Sequence, residues 1–216
     1  MLSILAELHS GIYVQAESDA NMVLTNLSKV QESIKSLRAK ADTFKGYQTL
    51  FKMNADEFSN LSLTETECQG RYAAWSALSF WEESTVRWMT SKVDKLDLNE
   101  INTTVDEASR DAYKMAKANR DDQVVFRLKA EIEDFRQYMA LLQELANPAL
   151  DSRHWKQIFA MLGKPYHEDM EFSVKDLIDM NVMDKIEEIG TIGATASKEY
   201  SLLKALEKMT QEWEGL

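Results

Sequence analysis

The chain has 216 residues, 44% hydrophobic and 28% charged, with 36 acidic against 25 basic side chains, a formal net charge of -11 and a pI near 4.8. That balance argues against nucleic acid and anionic membrane surfaces as partners, since both are met by clustered Lys and Arg, and residues 1–60, 61–150 and 151–216 each carry a net negative charge. Two prolines, seven glycines and one cysteine exclude a turn-rich β fold, an intrachain disulfide and a multi-cysteine zinc site, and leave an all-α chain as the expectation.

The N-terminal stretch Met1–Glu7 has no basic flank, and Glu7 and His9 interrupt its apolar run, so it does not read as a signal peptide. No stretch is apolar for long enough to span a bilayer. An intracellular helical protein is therefore expected, and the glycosylation-like patterns at Asn26, Asn60 and Asn102 carry no weight. Val23, Leu27, Val30, Ile34, Leu37, Ala41 and Phe44 then recur at alternating spacings of four and three, which places all seven on one helix face. Such a rhythm suits a bundle helix packed within its own chain, or an intermolecular coil, the former being preferred. Gly46 is its expected end, and Gly11 is expected to kink or split its start. Residues 47–70 read as a connector with one short helix.

Helical signal returns near Tyr72. Leu78, Trp81, Thr85 and Trp88 form one stripe and Tyr72, Trp75, Val86 and Met89 another, a breadth that implies burial on two sides. Aromatics at this spacing read as core in preference to a ligand-stacking platform. Asp97 and Glu100 have the spacing of a capping box for the next helix, which carries Leu98, Ile101, Val105, Ala108, Ala112 and Met115. Beyond the polar turn 119–122, Val124, Leu128, Ile132, Phe135, Met139 and Leu142 predict one further amphipathic helix, antiparallel to its predecessor.

Asn147-Pro148 ends that pattern, because proline lacks a donor and disfavours a helical residue before it. A short helix follows, capped by Asp151 and closed by Gly163, with Trp155, Ile158, Phe159 and Leu162 on its face. After Pro165, Ser173 and Asp176 suggest a second capping box and a second short helix. A last helix is expected from about Asp184 to Trp213 through Ile186, Ile189, Ala196, Tyr200, Leu203, Leu206 and Met209. Gly190 and Gly193 weaken it or permit a close helix contact.

Catalytic chemistry finds no support. The sequence has no phosphate-cradling GxxxxGK[ST], nucleophile elbow or His-Glu-x-x-His. His154, His167, Glu168, Asp169 and Glu171 do not fall on one helix face as metal ligands would, and no metal or cofactor is expected. The adjacent acids Glu82-Glu83, Asp121-Asp122 and Glu187-Glu188 diverge by about 100° on a helix and read as exposed charge runs. Cys68 has no histidine partner and no helix N-terminus to activate it.

One segment is more specific. Asn147-Pro148-Ala149-Leu150-Asp151-Ser152-Arg153-His154-Trp155, followed by Ile158, resembles the NPALxxRHW segment at the start of the linker in dynein heavy chains. Leu78, Trp81, Trp88 and Lys95–Leu98 before it are similar to the family's tryptophan-bearing helix and "LD" turn. Glu171–Leu177, Glu187–Ile189, Ala196–Leu202 and Ala205–Met209 after it are similar to the "FTLKxLL" and "EEI…ASKEYxLEKALxKM" elements. The likeness covers about residues 70–216 and favours the axonemal branch. Asp151 stands where a basic residue is usual, and Gly190 and Gly193 interrupt the last helix.

The resemblance implies an elongated helical bundle with two short helices after Pro148. Residues 1–146 would be a neck or tail-proximal bundle and 147–216 the N-terminal part of the linker. It implies a non-enzymatic piece of an ATP-driven motor, with Asn147, Pro148, Leu150, Arg153, His154 and Trp155 as the structural motif. Arg153, His154 and Trp155 would pack one helical subdomain on the next in preference to touching the ring directly. The partners implied are the AAA+ ring of the same heavy chain and other dynein subunits, with microtubules reached only indirectly, and the implied location is the cytoskeleton, in the axoneme of a cilium or flagellum. The competing reading is a spectrin-like or coiled-coil scaffold, which accounts for the heptads and the acidity but not for this motif order.

Overall fold

The computed structural model describes residues 2–214; Met1, at the head of the N-terminal stretch, and Gly215 and Leu216, at the end of the expected 147–216 segment, lie outside the described residues. Among the described residues there are nine α-helices and no named strand. They are α1 (Leu2–Leu8), α2 (Ala20–Leu50), α3 (Ser59–Thr90), α4 (Leu98–Ala118), α5 (Gln123–Arg136), α6 (Met139–Leu145), α7 (Ser152–Met161), α8 (Val174–Asp179) and α9 (Ile186–Glu214). The all-α reading holds, and α7 and α8 are the two short helices expected after Pro148. No helix among the described residues is long and apolar enough to cross a membrane.

The chain forms two compact units, Met1–Glu83 with Asp106–Ile132, and Ser84–Val105 with Glu133–Leu216. In the first unit, Val23, Leu27, Ile34 and Ala41 of α2 are buried as the heptad rhythm requires. The helix does not stop at Gly46. It runs on to Leu50, since one glycine costs a helix only about 1 kcal/mol, and the left-handed Lys52 (φ 56°) marks the stop instead.

The expected connector over 47–70 shrinks to residues 51–58, and α3 starts at Ser59. The seam of α3 is Leu61, Thr64, Cys68, Arg71, Trp75 and Leu78, all buried at alternating spacings of three and four. A hydroxyl, a thiol and a guanidinium occupy three of those six positions, so the apolar pattern was hidden.

Arg71 is buried and paired with the buried Asp122 at 2.8 Å, with Glu67 at 3.3 Å. Asp122 also caps α5, its Oδ1 accepting from the Val124 and Val125 amides at 3.0 and 3.3 Å. The pair Asp121-Asp122 is thus no exposed charge run. Glu82 departs from that expectation too: it is half-buried against Arg127, and burial pushes its carboxyl above the ordinary range. The chain before α2 is fastened by its carbonyls, Tyr13 O accepting from Trp75 Nε1 (3.0 Å) and Ala16 O from Arg127 Nη1 (2.6 Å). Trp75 and Trp81 are buried core of this unit, and Trp88, which belongs to the second, is buried there. Val86 of the second expected stripe is exposed.

In the second unit, Asp97 caps α4, accepting from the Asn99 and Glu100 amides, while the Glu100 carboxylate engages Arg87. The single helix expected through Leu142 is broken at Gln137–Tyr138 into α5 and α6, although Phe135, Leu141, Leu142 and Leu145 are buried. Ser173 and Asp176 form the predicted capping box of α8. Both α6 and α7 pack on the first half of α9, burying Ile189 and Ala196. Beyond Ala196 every described side chain of α9 is exposed, with Trp213 at 81%, so Tyr200, Leu203, Leu206, Met209 and Trp213 form no core.

Candidate functional site

The turn between α6 and α7 is built by its own sequence. Asn147, Pro148, Ala149 and Leu150 form a β-turn closed by the Leu150 amide donating to Asn147 O (3.1 Å), with proline where its fixed φ suits the turn. Asn147 Oδ1 accepts from the Ala149 amide at 3.0 Å, a side-chain turn that asparagine makes readily. Its amide nitrogen is left facing outward and donates to Gly193 O (3.2 Å) and Ser197 Oγ (2.9 Å), both on α9. One asparagine therefore shapes the turn and ties it to another helix.

Gly193 has a steric reason to be there. A Cβ at that position would lie 2.7 Å from Glu144 Oε2 and 3.5 Å from Asn147 Nδ2, so the backbone of α9 comes close to the end of α6. Of the two roles open to Gly190 and Gly193, the close contact is the one Gly193 fills. Gly190 meets only Glu144, at ordinary contact distance.

The start of α7 is a reciprocal cap. The Asp151 carboxylate accepts from the Arg153 and His154 amides at 2.9 and 3.3 Å, while His154 Nδ1 accepts from the Asp151 amide at 3.1 Å. His154 Nδ1 also lies 2.8 Å from Asp151 Oδ1, and its Nε2 lies 3.5 Å from Glu199 Oε2 on α9. Arg153 forks onto Asp151 Oδ2 (3.0 and 2.8 Å) and reaches Glu199 at 3.0 Å. The Arg153 guanidinium holds the Asp151 carboxyl below its usual range, helped by the two backbone donors. Buried His154 (4% exposed) and exposed Arg153 thus converge on one carboxylate of α9.

On the other side of the turn, Pro148, Leu150 and Trp155 line a cleft of about 580 Å³ with Val93, Met170 and Phe172. Trp155 is half-buried, edge-to-face on Phe172 with ring centroids 4.9 Å apart, and Phe159 makes the same contact from beneath. Phe172 is itself fixed, its carbonyl accepting from the Val93 amide at 3.4 Å beside the Lys92–Glu171 ion pair.

All six motif residues therefore meet around one junction: Asn147, Arg153 and His154 toward α9, and Pro148, Leu150 and Trp155 on the cleft. Sequence reasoning placed Phe172, Ser197 and Glu199 within segments of the family resemblance but gave them no role at this junction, which only the fold brings together. Among the described residues no group of three His, Cys, Asp or Glu, those among His154, His167, Glu168, Asp169 and Glu171 included, is placed to hold a metal ion. Cys68 is buried, and burial raises its thiol above the ordinary value, the opposite of an activated nucleophile.

Residues 61–216 match the family described as "Dynein heavy chain, N-terminal region 2". The chain is similar to human dynein axonemal heavy chain 1, at 26% identity over 94% of its length, and to human dynein axonemal heavy chain 2, at 25% over 88%. Human dynein axonemal heavy chain 3 is 29% identical over 64% of the chain. The chain spans only about 5% of the length of the first of these relatives and 4% of the other two.

Proposed function

The chain belongs to the dynein heavy chain family, and from that premise we propose that it is a non-catalytic mechanical element, passing ATP-driven movement of the AAA+ ring to the tail in microtubule-based, ciliary motility. In this reading residues 1–146 are the tail-proximal neck and 147–216 the N-terminal part of the linker. The compact units divide the chain elsewhere, because α6, on the neck side of that boundary, packs on α9.

The observation that carries the reading is the fastening of the Asn147 turn to α9. A lever transmits force only if its corners do not yield. Here the turn that ends the helical pattern at Asn147-Pro148 is held by the Asn147 amide on Gly193 and Ser197, and by Arg153 on Glu199. Helix α6 enters the turn, α7 leaves it, and α9 braces both. The charged groups at the site are engaged in caps and ion pairs, which supports a structural role for them. The ring of the same heavy chain is the partner that would drive it, and the axonemal relatives support a place in the axoneme.

A spectroscopic distance between labels at Lys156 and Lys198, placed in the full heavy chain, tests the braced corner. The expected result is one unchanged distance in nucleotide-free and nucleotide-bound motor. A change of more than a few ångströms would mean that the corner is a hinge, and the reading as a stiff element would fail.

A further inference from the structure

Two helices of the second unit begin with reciprocal caps, and the caps differ at one position. At α8 the Ser173 amide donates to Asp176 Oδ2 (2.8 Å) and the Asp176 amide to Ser173 Oγ (3.2 Å). The bonds from Ser173 hold the Asp176 carboxyl below its usual range. At α7 the same third helical position is His154, whose Nδ1 accepts from the Asp151 amide at 3.1 Å. A carboxylate held low in this way goes on accepting in mild acid. An imidazole nitrogen stops accepting once it is protonated.

The buried ring of His154 has neighbours with opposite requirements. The Asp151 amide needs a lone pair on Nδ1, whereas Asp151 Oδ1, 2.8 Å from the same nitrogen, needs a proton there. Nε2 lies 3.5 Å from Glu199 Oε2. The charged groups facing the ring are therefore Asp151 and Arg153 from its own end of α7 and Glu199 from α9, with Arg153 shared by both carboxylates. Of the other acids on neighbouring elements, Glu144 of α6 lies against Gly193 and Glu171 pairs with Lys92, while Lys156 and Lys198 are exposed. One cation against two anions leaves a single negative charge in excess around the ring, and a proton on the ring cancels it. Asp151 supplies its charge in mild acid, since Arg153 beside it holds its carboxyl low.

We propose that His154 is a proton-operated clasp, exchanging a bond within the α7 cap for a charged bridge from α7 to α9. In the neutral ring Nδ1 serves the Asp151 amide and the Nε2 proton alone faces Glu199. Uptake of one proton from solvent at Nδ1 releases that amide and sets an imidazolium between the Asp151 and Glu199 carboxylates. The cap loses one bond while α7 is held more firmly to α9. The clasp rests on the reading of this junction as a braced corner and adds its regulation: acidification tightens the brace.

The test uses the whole chain without nucleotide, taken from about pH 8 to about pH 5, the span in which histidines ordinarily gain their charge. As the nitrogen-15 signal of His154 Nδ1 becomes that of a protonated nitrogen, the Asp151 amide should exchange its hydrogen about fivefold faster relative to the Ser173 amide, the equivalent of one lost hydrogen bond. His154→Gln keeps an acceptor at this position that takes no proton, and should hold that ratio constant. Spin labels at Lys156 and Lys198 should give a narrower distance distribution at the acid end. Glu199→Gln, an exposed substitution, should abolish the narrowing. A ring that keeps one protonation state throughout would overturn the proposal, as would an exchange ratio that stays flat while the ring charges. So would the same change of ratio in His154→Gln, or a narrowing that survives Glu199→Gln. These results leave the braced corner standing, which fails instead if the mean label distance shifts between nucleotide states of the motor.

Discussion

Arg71 sits in the seam of α3 where a leucine would be ordinary, and its charge is tolerated because Asp122 lies 2.8 Å away. Removing one partner of such a pair strands the other, so Arg71→Met is expected to cost about 3–5 kcal/mol in urea unfolding. Asp122→Ala should cost more, because the cap of α5 goes with the ion pair. Cys68 gives a simpler test: buried and with its thiol raised, it should resist iodoacetamide in the native chain at pH 8 and react on unfolding. For Asp151 the sign follows from its lowered pKa. Its ionised form is favoured by folding, so its contribution is present above the unfolded value of about 4 and is lost as pH falls through the lower folded value. Asp151→Asn keeps a capping side chain but not the charge. The difference in melting temperature between wild type and variant should therefore be full at neutral pH and shrink below about pH 4.

At the scale of the element, what could be read in the sequence was decided by chemistry. Where apolar residues kept a period, as along the first half of α2, or where a cap used standard residues, as at Asp97, Asp151 and Ser173, pattern and structure agree. The pattern failed in α3, where Thr64, Cys68 and Arg71 take core positions, and in α9, whose stripe from Tyr200 onward is fully periodic yet exposed. Periodicity says that a face is apolar and does not say what covers it. The motif residues could be located before the fold was known. The pairing of those residues could not, since Glu199 and Phe172 lay in quoted segments whose contact with the turn only the fold reveals.

The close approach of α9 to α6 gives a graded series. Gly190→Ala should stabilise by up to about 1 kcal/mol through helix propensity, with no neighbour displaced. Gly193→Ala should be nearly neutral, because the atom in its way is the movable end of Glu144. Gly193→Leu must displace the Asn147 amide as well and should lower the melting temperature clearly. Trp155→Ala should cost about 2–3 kcal/mol, less than for a fully buried ring, because Trp155 is only half-buried against Phe172.

For the whole molecule, the acidic helical composition argues against several partner classes but left the function open, and the Asn147–Trp155 segment narrowed it to one family. The structure shows that segment's polar side chains fastened to α9, which supports the proposed mechanical reading. On the proposed lever reading, force transmission is separable from ATP turnover, since the charged side chains of the junction are engaged in caps and ion pairs. The direct test is a full heavy chain motor carrying Arg153→Ala with Glu199→Ala, assayed for both microtubule gliding velocity and ATPase rate. Gliding is predicted to slow several-fold while ATP turnover is kept. Wild-type gliding, or a loss of gliding only in proportion to a loss of ATPase, would contradict the account.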